Sequence, residues 1–301
     1  MGLEHKDWKG TTGGTTWMQR TLVVWLSVID QRFIYAVLVL VVPFYMLFNH
    51  KGYISIYHFY RKGFGFPWWK AFVYVYANHF RFGQIIIDRF AAFGGRKFKF
   101  VNEGDNLDDY KTLSRQESGF VQLHCHMGNY ELAGYTLKQD VKTMYALVFM
   151  GETETMMENR RRMFSHKDVI MVPVKPDMSH IFELNNALQA GQIVSMPGDR
   201  IFGSSKSLTC TFLGKSIKLP LGPFQLAILR SVPMVVIFVM KKRYDTYKVH
   251  YAMLNDDPSL SKKERAQNLA DQFARTMDDI VRMYPAQWFN YYDVWAGEDQ
   301  K

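Results

Sequence analysis

From Gly119 onward, short apolar runs alternate with helical stretches, and this alternation restricts the fold more than any other feature of the sequence. Strands that are apolar along their whole length are buried on both faces of a sheet. Helices that join such strands cover those faces, so the pattern predicts an α/β fold with a mostly parallel central sheet flanked by helices. The strand candidates are residues 120–125, 144–150, 169–172, 192–196, 234–240 and 247–253.

Helical stretches lie between these runs, and the clearest helix is near the C-terminal end. Ser261 and Glu264 have the spacing of a capping box, in which each side chain bonds the backbone of the other residue. Pro285 follows the far end of the helix. Apolar residues at helical spacing form its core-facing stripe: Leu269, Phe273, Met277, Ile280 and Val281. The other helix candidates are residues 131–139, 153–164, 178–190 and 223–230.

The length and charge of the chain limit its organisation and its partners. Its 301 residues suffice for one large α/β domain with additional N-terminal structure, or for two small domains. We expect an N-terminal helical region over residues 1–100, continuous with an α/β region over residues 101–301. The net charge of +9 and the aromatic content of 16% favour an anionic membrane surface or an acidic partner. No nucleic-acid-binding motif accompanies this charge, so nucleic acid is not an expected partner.

The N-terminal region carries the longest uncharged apolar segment. Residues 33–48 contain no charge, whereas a full transmembrane helix needs about 20 apolar residues. Basic residues flank the segment on both sides and indicate no orientation. We therefore favour a helix embedded in one membrane leaflet over a single span, and a buried core helix is the alternative. The aromatic-rich helical stretch 68–93 either continues this membrane-facing surface or packs over the sheet.

The first strand of the alternating region ends in a pattern that suits acid–base chemistry. His126 follows the strand, Gly128 and Asn129 form a turn, and Glu131 opens the next helix. A carboxylate that bonds one ring nitrogen of a histidine leaves the other nitrogen free as a base. The turn allows Glu131 to reach back to His126, whereas a continuous helix would place the two on different faces. A purely structural hydrogen bond is the alternative.

The residues beside this turn do not indicate a metal site. His124 lies on the same strand face as His126, but Cys125 points to the opposite face. No second pair of ligands follows at zinc-like spacing, so no metal or cofactor is expected. The two cysteines, Cys125 and Cys210, both fall in interior strands, which suits a reducing compartment.

Residues 126–131, HMGNYE, resemble the H-x-x-x-x-(D/E) box of the lysophospholipid acyltransferase superfamily, in the form typical of the bacterial lipid A lauroyl/myristoyl acyltransferase family. Further blocks resemble the same family in order and spacing, so that the similarity extends over about residues 8–295. They are MENRRR at 157–162, SMPGDRIFG at 195–203, TFLGKSIKLPLGPFQLA at 211–227 and YPAQW at 284–288. Five ordered blocks are far more specific than the first block alone.

The resemblance implies a fold similar to that of glycerol-3-phosphate acyltransferases and a catalytic role for residues 101–301. It implies that His126 is the general base and that Glu131 is its partner. The arginine cluster at residues 160–162 would bind a phosphate of the head group or of the carrier. Asp199 and Arg200 would line the acceptor side. The implied substrate-binding residues are Gly128, Asn129, Arg160, Asp199 and Arg200.

The implied activity is the transfer of a fatty acyl chain from acyl carrier protein, or from coenzyme A, to a hydroxyl or amine of a membrane lipid. A lipid A-type glycolipid is the expected acceptor, and a lysophospholipid or an aminolipid is the alternative. The resemblance further implies a monotopic or single-pass protein at the cytoplasmic face of the bacterial inner membrane. A non-catalytic lipid-binding homologue and a thioesterase are the rival interpretations.

Two departures from the family pattern bear on the acceptor more than on the acyl transfer. Arg200 and Ile201 stand where these enzymes commonly carry a second acidic residue. Residues 290–293, NYYD, stand where the family usually has an arginine after Gln-Trp. Both departures suggest a distinct subgroup of the family.

Overall fold

The computed structural model describes residues 21, 25–26, 29–48, 50–103, 106–132, 142–148, 169–201 and 206–295. Nine strands occur in these residues, and all six predicted strands are among them. The strands are β1 (Lys99–Glu103), β2 (Phe120–His124), β3 (Met144–Val148), β4 (Val169–Pro173), β5 (Ile193–Pro197), β6 (Ser207–Phe212), β7 (Lys215–Pro220), β8 (Met234–Lys241) and β9 (Thr246–Leu254).

A seven-stranded sheet forms the centre of the molecule, in the order β1-β9-β8-β2-β5-β3-β4. Every neighbouring pair in it is parallel except β8 and β9. The predicted α/β fold with a mostly parallel sheet is therefore confirmed. The exception has a physical reason, because only residues 242–245 join β8 to β9, and a parallel pair needs a crossover of a dozen or more residues.

Helices and two short 3-10 turns surround the sheet. The predicted helix 153–164 lies outside the described residues, and so does the predicted helix 131–139 after residue 132. The helices are α1 (Gln31–Phe48), α2 (His50–His58), a π-helix (Phe59–Gly63), α3 (Trp68–Phe93), α4 (Leu107–Arg115), α5 (His180–Gln189), α6 (Gly222–Arg230) and α7 (Lys262–Met283), with 3-10 turns at Tyr130–Leu132 and Pro285–Gln287.

Both faces of the sheet are buried, as continuous apolar strands predict. Side chains alternate between two apolar cores along each central strand. Val121 and Leu123 of β2 belong to the core that also contains Phe273 of α7. Phe120 of the same strand belongs to the opposite core, together with Ile237 of β8. Helix α7 has the predicted capping box between Ser261 and Glu264, and its predicted apolar stripe is buried.

Several elements are absent from the sequence-based prediction: β1, α2, the π-helix, α4 and the hairpin of β6 with β7. The hairpin is antiparallel and separate from the main sheet. Its turn places Leu213 at φ 50° and Gly214 at φ 76°. A leucine at positive φ is uncommon, and the usual turn signal at that position is asparagine or aspartate. The pairing partner therefore specifies this turn more than the local sequence does.

Helices α1 and α3 pack together, and both expose apolar side chains. The hydroxyl of Tyr76 on α3 donates to the carbonyl of Val39 on α1 at 3.1 Å. Among the described residues no single helix is long and apolar enough to cross a membrane, and two helices that would suffice together are bent by 97°. We call the following exposed residues the apolar surface: Phe33, Val37, Val39, Leu40, Val41, Phe44, Tyr45 and Leu47 of α1, and Trp68, Trp69, Phe72 and Val73 of α3.

A buried charged cluster joins α1 and α3 to the sheet. The carboxylate of Asp88 on α3 accepts from the Nζ of Lys241 at the end of β8, and both side chains are fully buried. The hydroxyls of Tyr35 and Tyr247 also donate to Asp88. Burial raises the pKa of Asp88 and lowers that of Lys241, and their mutual contact opposes both shifts. The pair is stable only as a unit, because either charge alone would be buried without compensation.

We predict that Asp88→Asn lowers the free energy of unfolding by about 3 kcal/mol or more, since it leaves the Lys241 ammonium buried without its counter-charge. Lys241→Met has a similar cost for the opposite reason. The double variant loses less than the sum of the two single variants, because it leaves no unpaired charge. Urea denaturation followed by circular dichroism measures all three values.

The pair of Arg282 with Asp278 on the surface of α7 is the control, because its Arg282 side chain is 54% exposed. Asp278→Asn should change the free energy of unfolding by less than about 1 kcal/mol. Equal costs at Asp88 and Asp278 would show that the buried pair is not an anchor of the fold.

Candidate active site

His126 and Asp199 meet at the carboxyl edge of the sheet. His126 lies two residues beyond β2 and Asp199 two residues beyond β5, and these strands are parallel neighbours. Nδ1 of His126 is 2.9 Å from Oδ1 of Asp199. The backbone N–H of His126 donates to Oδ2 of the same carboxylate, also at 2.9 Å. One carboxylate therefore holds both the ring and the main chain of the histidine.

The C-terminal segment holds this pair in place. Nδ2 of Asn290 donates to Oδ2 of Asp199 at 2.8 Å, and Oδ1 of Asn290 accepts from Nε of Arg200 at 2.6 Å. Arg200 also donates to the carbonyl of Phe289 at 3.2 Å. The N–H of Phe289 in turn donates to the carbonyl of His126 at 2.9 Å. These bonds close a ring around the histidine and its carboxylate.

The environment favours a neutral His126 beside an ionised Asp199. Burial lowers the pKa of His126 from its usual 6.5, and Arg200 lowers it further, while Asp199 raises it. Burial opposes ionisation of Asp199, but His126 and Arg200 more than offset this and hold the pKa of the carboxyl below its usual range. Asp199 then accepts from Nδ1–H, so the lone pair is on Nε2.

Nε2 of His126 is available for chemistry. In the part of the chain that the structure describes, it has no hydrogen-bond partner, and the His126 side chain keeps 15% of its surface exposed. A neutral imidazole with a free Nε2 and a carboxylate on Nδ1 is an arrangement suited to general-base catalysis. The site can therefore remove a proton from a hydroxyl or an amine that reaches Nε2.

His124 is a packed neighbour of this pair. Its Nδ1 lies 3.3 Å from Oγ of Ser195, and burial lowers its pKa to about 4. The ring of Tyr130 stacks on His124 with 4.9 Å between ring centroids, and it meets His126 edge-on at 5.2 Å. Within the described residues no group of three or more His, Cys, Asp or Glu side chains could hold a metal ion.

Main-chain hydrogen bonds hold the turn after His126, and two of them go to carbonyls in other parts of the fold. The N–H groups of residues 127–129 each donate to a main-chain carbonyl of the protein, so these three groups are not free to bind an oxyanion. Gly128 has φ 55°, and a Cβ there would lie 2.3 Å from the carbonyl oxygen of Val239. Only glycine fits this position, because the backbone of β8 passes directly against the turn.

The side chains of the turn are held by an arginine from α3. Arg89 donates to Oδ1 of Asn129 from its Nε, at 3.3 Å. Its guanidinium also forms an ion pair with Glu131, at 2.9 Å, and both side chains are less than 10% exposed. Nδ2 of Asn129 donates to the hydroxyl of Tyr247 at 3.2 Å. The carboxylate on Nδ1 of His126 is that of Asp199, and the catalytic role of Glu131 stays a prediction.

The structure brings some of the predicted substrate-binding residues together. Asp199 and Arg200 lie beside His126, with Asp199 bonded to it. Gly128 and Asn129 are buried in the turn, and their substrate-binding role stays a prediction. Arg160 lies in residues 149–168, outside the described part of the chain.

Three residues at the site have no individual role in the sequence-based prediction: Arg89, Tyr130 and Asn290, although the last two lie in segments that it singles out. Only Arg89 has a clear local signal. It follows Asp88 within the apolar helical stretch IIIDRFAAF at residues 85–93. Two adjacent charges in such a stretch indicate buried polar partners, because an unpaired charge is costly in an apolar core.

Comparisons with known proteins agree with the motifs. Residues 78–295 match a family model described as bacterial lipid A biosynthesis acyltransferase. No curated protein matches the sequence. Among solved structures, the chain is similar to the 1-acyl-sn-glycerophosphate acyltransferase from Thermotoga maritima, with 13% sequence identity and a TM-score of 0.40. The alignment covers 86% of this chain and 99% of that chain.

We predict that Asp199→Asn lowers the pKa of His126 and that Arg200→Gln raises it. Asp199 stabilises the imidazolium and raises the pKa of His126, whereas Arg200 repels the imidazolium and lowers this pKa. The ring 15N chemical shifts of histidine-labelled protein, followed against pH, measure both shifts.

Asp257→Asn is the control, because Asp257 is an exposed carboxylate that bonds Ser259 in a surface loop. It should leave the titration of His126 unchanged. Shifts of the same sign in Asp199→Asn and Arg200→Gln would contradict the assigned electrostatics.

Proposed function

Because the chain belongs to the bacterial lipid A biosynthesis acyltransferase family and is therefore an acyltransferase, we propose that His126 is the general base in acyl transfer to a lipid. The observation that carries this proposal is the contact between Nδ1 of His126 and the buried Asp199 carboxylate. This contact leaves Nε2 as the base and supplies a negative charge to stabilise the imidazolium. Asp199 is the positioning residue of the pair.

The proposed reaction is a direct transfer without a covalent acyl-enzyme. Nε2 of His126 removes a proton from the acceptor hydroxyl or amine, and the acceptor atom attacks the carbonyl carbon of an acyl thioester. The tetrahedral intermediate collapses as its C–S bond breaks. The leaving thiolate takes the proton from the His126 imidazolium, which restores the neutral base. Asp199 stabilises the imidazolium between these two proton transfers.

The proposed donor is acyl carrier protein, and the proposed acceptor is a lipid A-type glycolipid precursor. The net charge of +9 favours the donor, since acyl carrier protein is acidic. Family membership supports the acceptor class. Arg160 is proposed to bind a phosphate of the acceptor or of the carrier, because a guanidinium pairs with phosphate through two hydrogen bonds.

We propose that the apolar surface rests on one leaflet of the bacterial inner membrane, at its cytoplasmic face. A soluble protein rarely exposes so many neighbouring apolar side chains. Trp68 and Trp69 begin α3, and tryptophan is typical of the interface between lipid and water. Lys70 follows them, with its Nζ 3.9 Å above the ring of Phe66, and suits an anionic lipid head group.

We predict that His126→Ala lowers the kcat of acyl transfer by about 100-fold or more, which is the usual contribution of a general base. Asp199→Asn also lowers kcat, because the carboxamide neither fixes the tautomer nor stabilises the imidazolium. The assay follows acyl transfer from acyl carrier protein to a lipid A precursor, to a lysophospholipid and to no acceptor, by mass spectrometry of the products.

His250→Gln on β9 is the control for this series, and it should retain activity. Free fatty acid as the product in every acceptor arm would indicate a thioesterase and overturn the proposal. A folded His126→Ala protein with full activity would overturn the role of the base. Acyl transfer to the lysophospholipid alone would support His126 as the base, but it would replace the glycolipid with a lysophospholipid as the acceptor.

We predict that Leu40→Asp with Phe44→Asp weakens binding to anionic phospholipid vesicles, because two charges are placed in the apolar surface. The loss should be about tenfold or more, since burial of a leucine or phenylalanine contributes about 1.5–3 kcal/mol. Vesicle flotation measures the bound fraction of each variant.

Phe182→Asp with Leu229→Asp is the matched control. These side chains are 72% and 65% exposed, similar to 70% and 64% for Leu40 and Phe44, but they lie on α5 and α6 outside the apolar surface. Equal loss of vesicle binding in both double variants would contradict the assigned membrane face.

A further inference from the structure

One arginine contacts three consecutive residues of the turn that follows His126. From α3, Arg89 donates to Asn129 at 3.3 Å and pairs with Glu131 at 2.9 Å. Its guanidinium carbon also lies 5.2 Å from the centre of the Tyr130 ring. Arg89 is 7% exposed, so these contacts are formed away from solvent. A planar guanidinium can form all three contacts, since its N–H donors lie in one plane and the face of that plane can pack on an aromatic ring.

The side chain of Tyr130 contacts both Arg89 and the candidate base His126. Its ring contacts the guanidinium of Arg89 and also meets His126 edge-on, at 5.2 Å between ring centroids. The same ring stacks on His124 with an interplanar angle of 9°. The orientation of the His126 ring is therefore limited on one side by Asp199 and on another side by Tyr130.

The residue next to Arg89 fixes the helix itself. Asp88 bonds Lys241 of β8 and the hydroxyl of Tyr247 of β9, and this hydroxyl also accepts from Nδ2 of Asn129. Two adjacent residues of α3 thus hold the turn and the sheet edge together. Because both are buried, the position of Arg89 relative to the strands is rigidly defined.

We propose that Arg89 is a positioning residue of the acyl transfer reaction, and that Glu131 contributes to catalysis by anchoring the turn through Arg89. This inference rests on the proposed role of His126 as general base. Arg89 acts on the orientation of the reacting imidazole, and it binds neither substrate. A misplacement of a reacting group by about 1 Å can lower a rate by about 100-fold, so an anchor of this kind affects kcat more than acceptor binding.

The test compares Arg89→Gln, Arg89→Lys, Glu131→Gln and the double variant Arg89→Gln with Glu131→Gln. Each is assayed as the full-length protein in mixed micelles with acyl carrier protein as donor and a lipid A precursor as acceptor. We expect Arg89→Gln to lower kcat by about 100-fold while the KM of the acceptor changes less than about threefold. Arg89→Lys should recover part of kcat, because it keeps the charge but loses the planar guanidinium that contacts Asn129 and Glu131 together.

The double variant separates the two roles that Glu131 can have. If Glu131 works through Arg89, the double variant loses no more activity than the worse single variant, because both substitutions break one interaction. If the losses of the two single variants multiply, Glu131 acts independently of Arg89 and the proposal is overturned. Wild-type kcat in Arg89→Gln would also overturn it.

Arg81→Gln is the matched control, because Arg81 lies on the same helix and bonds Gln84 at 2.8 Å, away from the turn. It should keep kcat within about twofold, since the bond of Arg81 to Gln84 lies within one helix and is of modest energy. Thermal unfolding identifies any variant that fails to fold. If Arg89→Gln does not fold, Arg89→Lys and Glu131→Gln test the proposal instead, by a loss of kcat with little change in the KM of the acceptor. Absence of transfer by the wild-type protein to any lipid would refute the proposed function instead, so the two failures are distinguishable.

Discussion

The parallel pairing of β2 with β5 is the constraint on which the site depends. His124 of β2 is the register partner of Pro197 of β5, so both strands end at the same level. The N–H of Gly198 then donates to the carbonyl of His124 at 2.8 Å, which extends the pairing by one residue. Gly198 packs against Phe273, and a Cβ there would lie 2.7 Å from its ring. His126 and Asp199 meet because the two chains leave the sheet side by side.

Helix α3 connects the apolar surface to the candidate active site. Its 26 residues span about 39 Å, with exposed Trp68 and Trp69 at one end and buried Asp88 and Arg89 near the other. The first pair belongs to the apolar surface, and the second pair holds the sheet edge and the turn beside His126. The usual distribution is reversed along this helix: its exposed Trp68 and Trp69 near the start are apolar, and its buried Asp88 and Arg89 near the end are charged.

The two departures from the family pattern meet in space. Arg200 stands where a second acidic residue is common, and Asn290 lies in the segment that usually has an arginine. In the structure Nε of Arg200 donates to Oδ1 of Asn290, which in turn donates to Asp199 through Nδ2. The two unusual residues are therefore partners, and Asn290 also bonds the carboxylate that holds His126. This agrees with a site that is altered in detail while the proposed base is retained.

Much of the fold follows from the sequence, because burial on both faces imposes continuous apolar runs on the strands. The six strands, the long helix at 68–93 and the capping box of α7 all have local causes in side-chain pattern. The edge strand β1 has no such local cause, since three of its five residues, Lys99, Asn102 and Glu103, are charged or polar. It forms because it pairs with β9. The hairpin turn at Leu213 likewise depends on its partner strand, because the local residues carry no strong turn signal.

By itself, the sequence determined that His126 follows a strand and precedes a glycine turn, and that a basic, aromatic-rich chain carries this motif. Only the tertiary structure decided which carboxylate bonds Nδ1 of His126. Glu131 is five residues away along the chain and Asp199 is seventy-three, yet Asp199 bonds the ring while Glu131 bonds Arg89. Distance along the chain favours the nearer residue, but strand order and register place the more distant one at the same sheet edge.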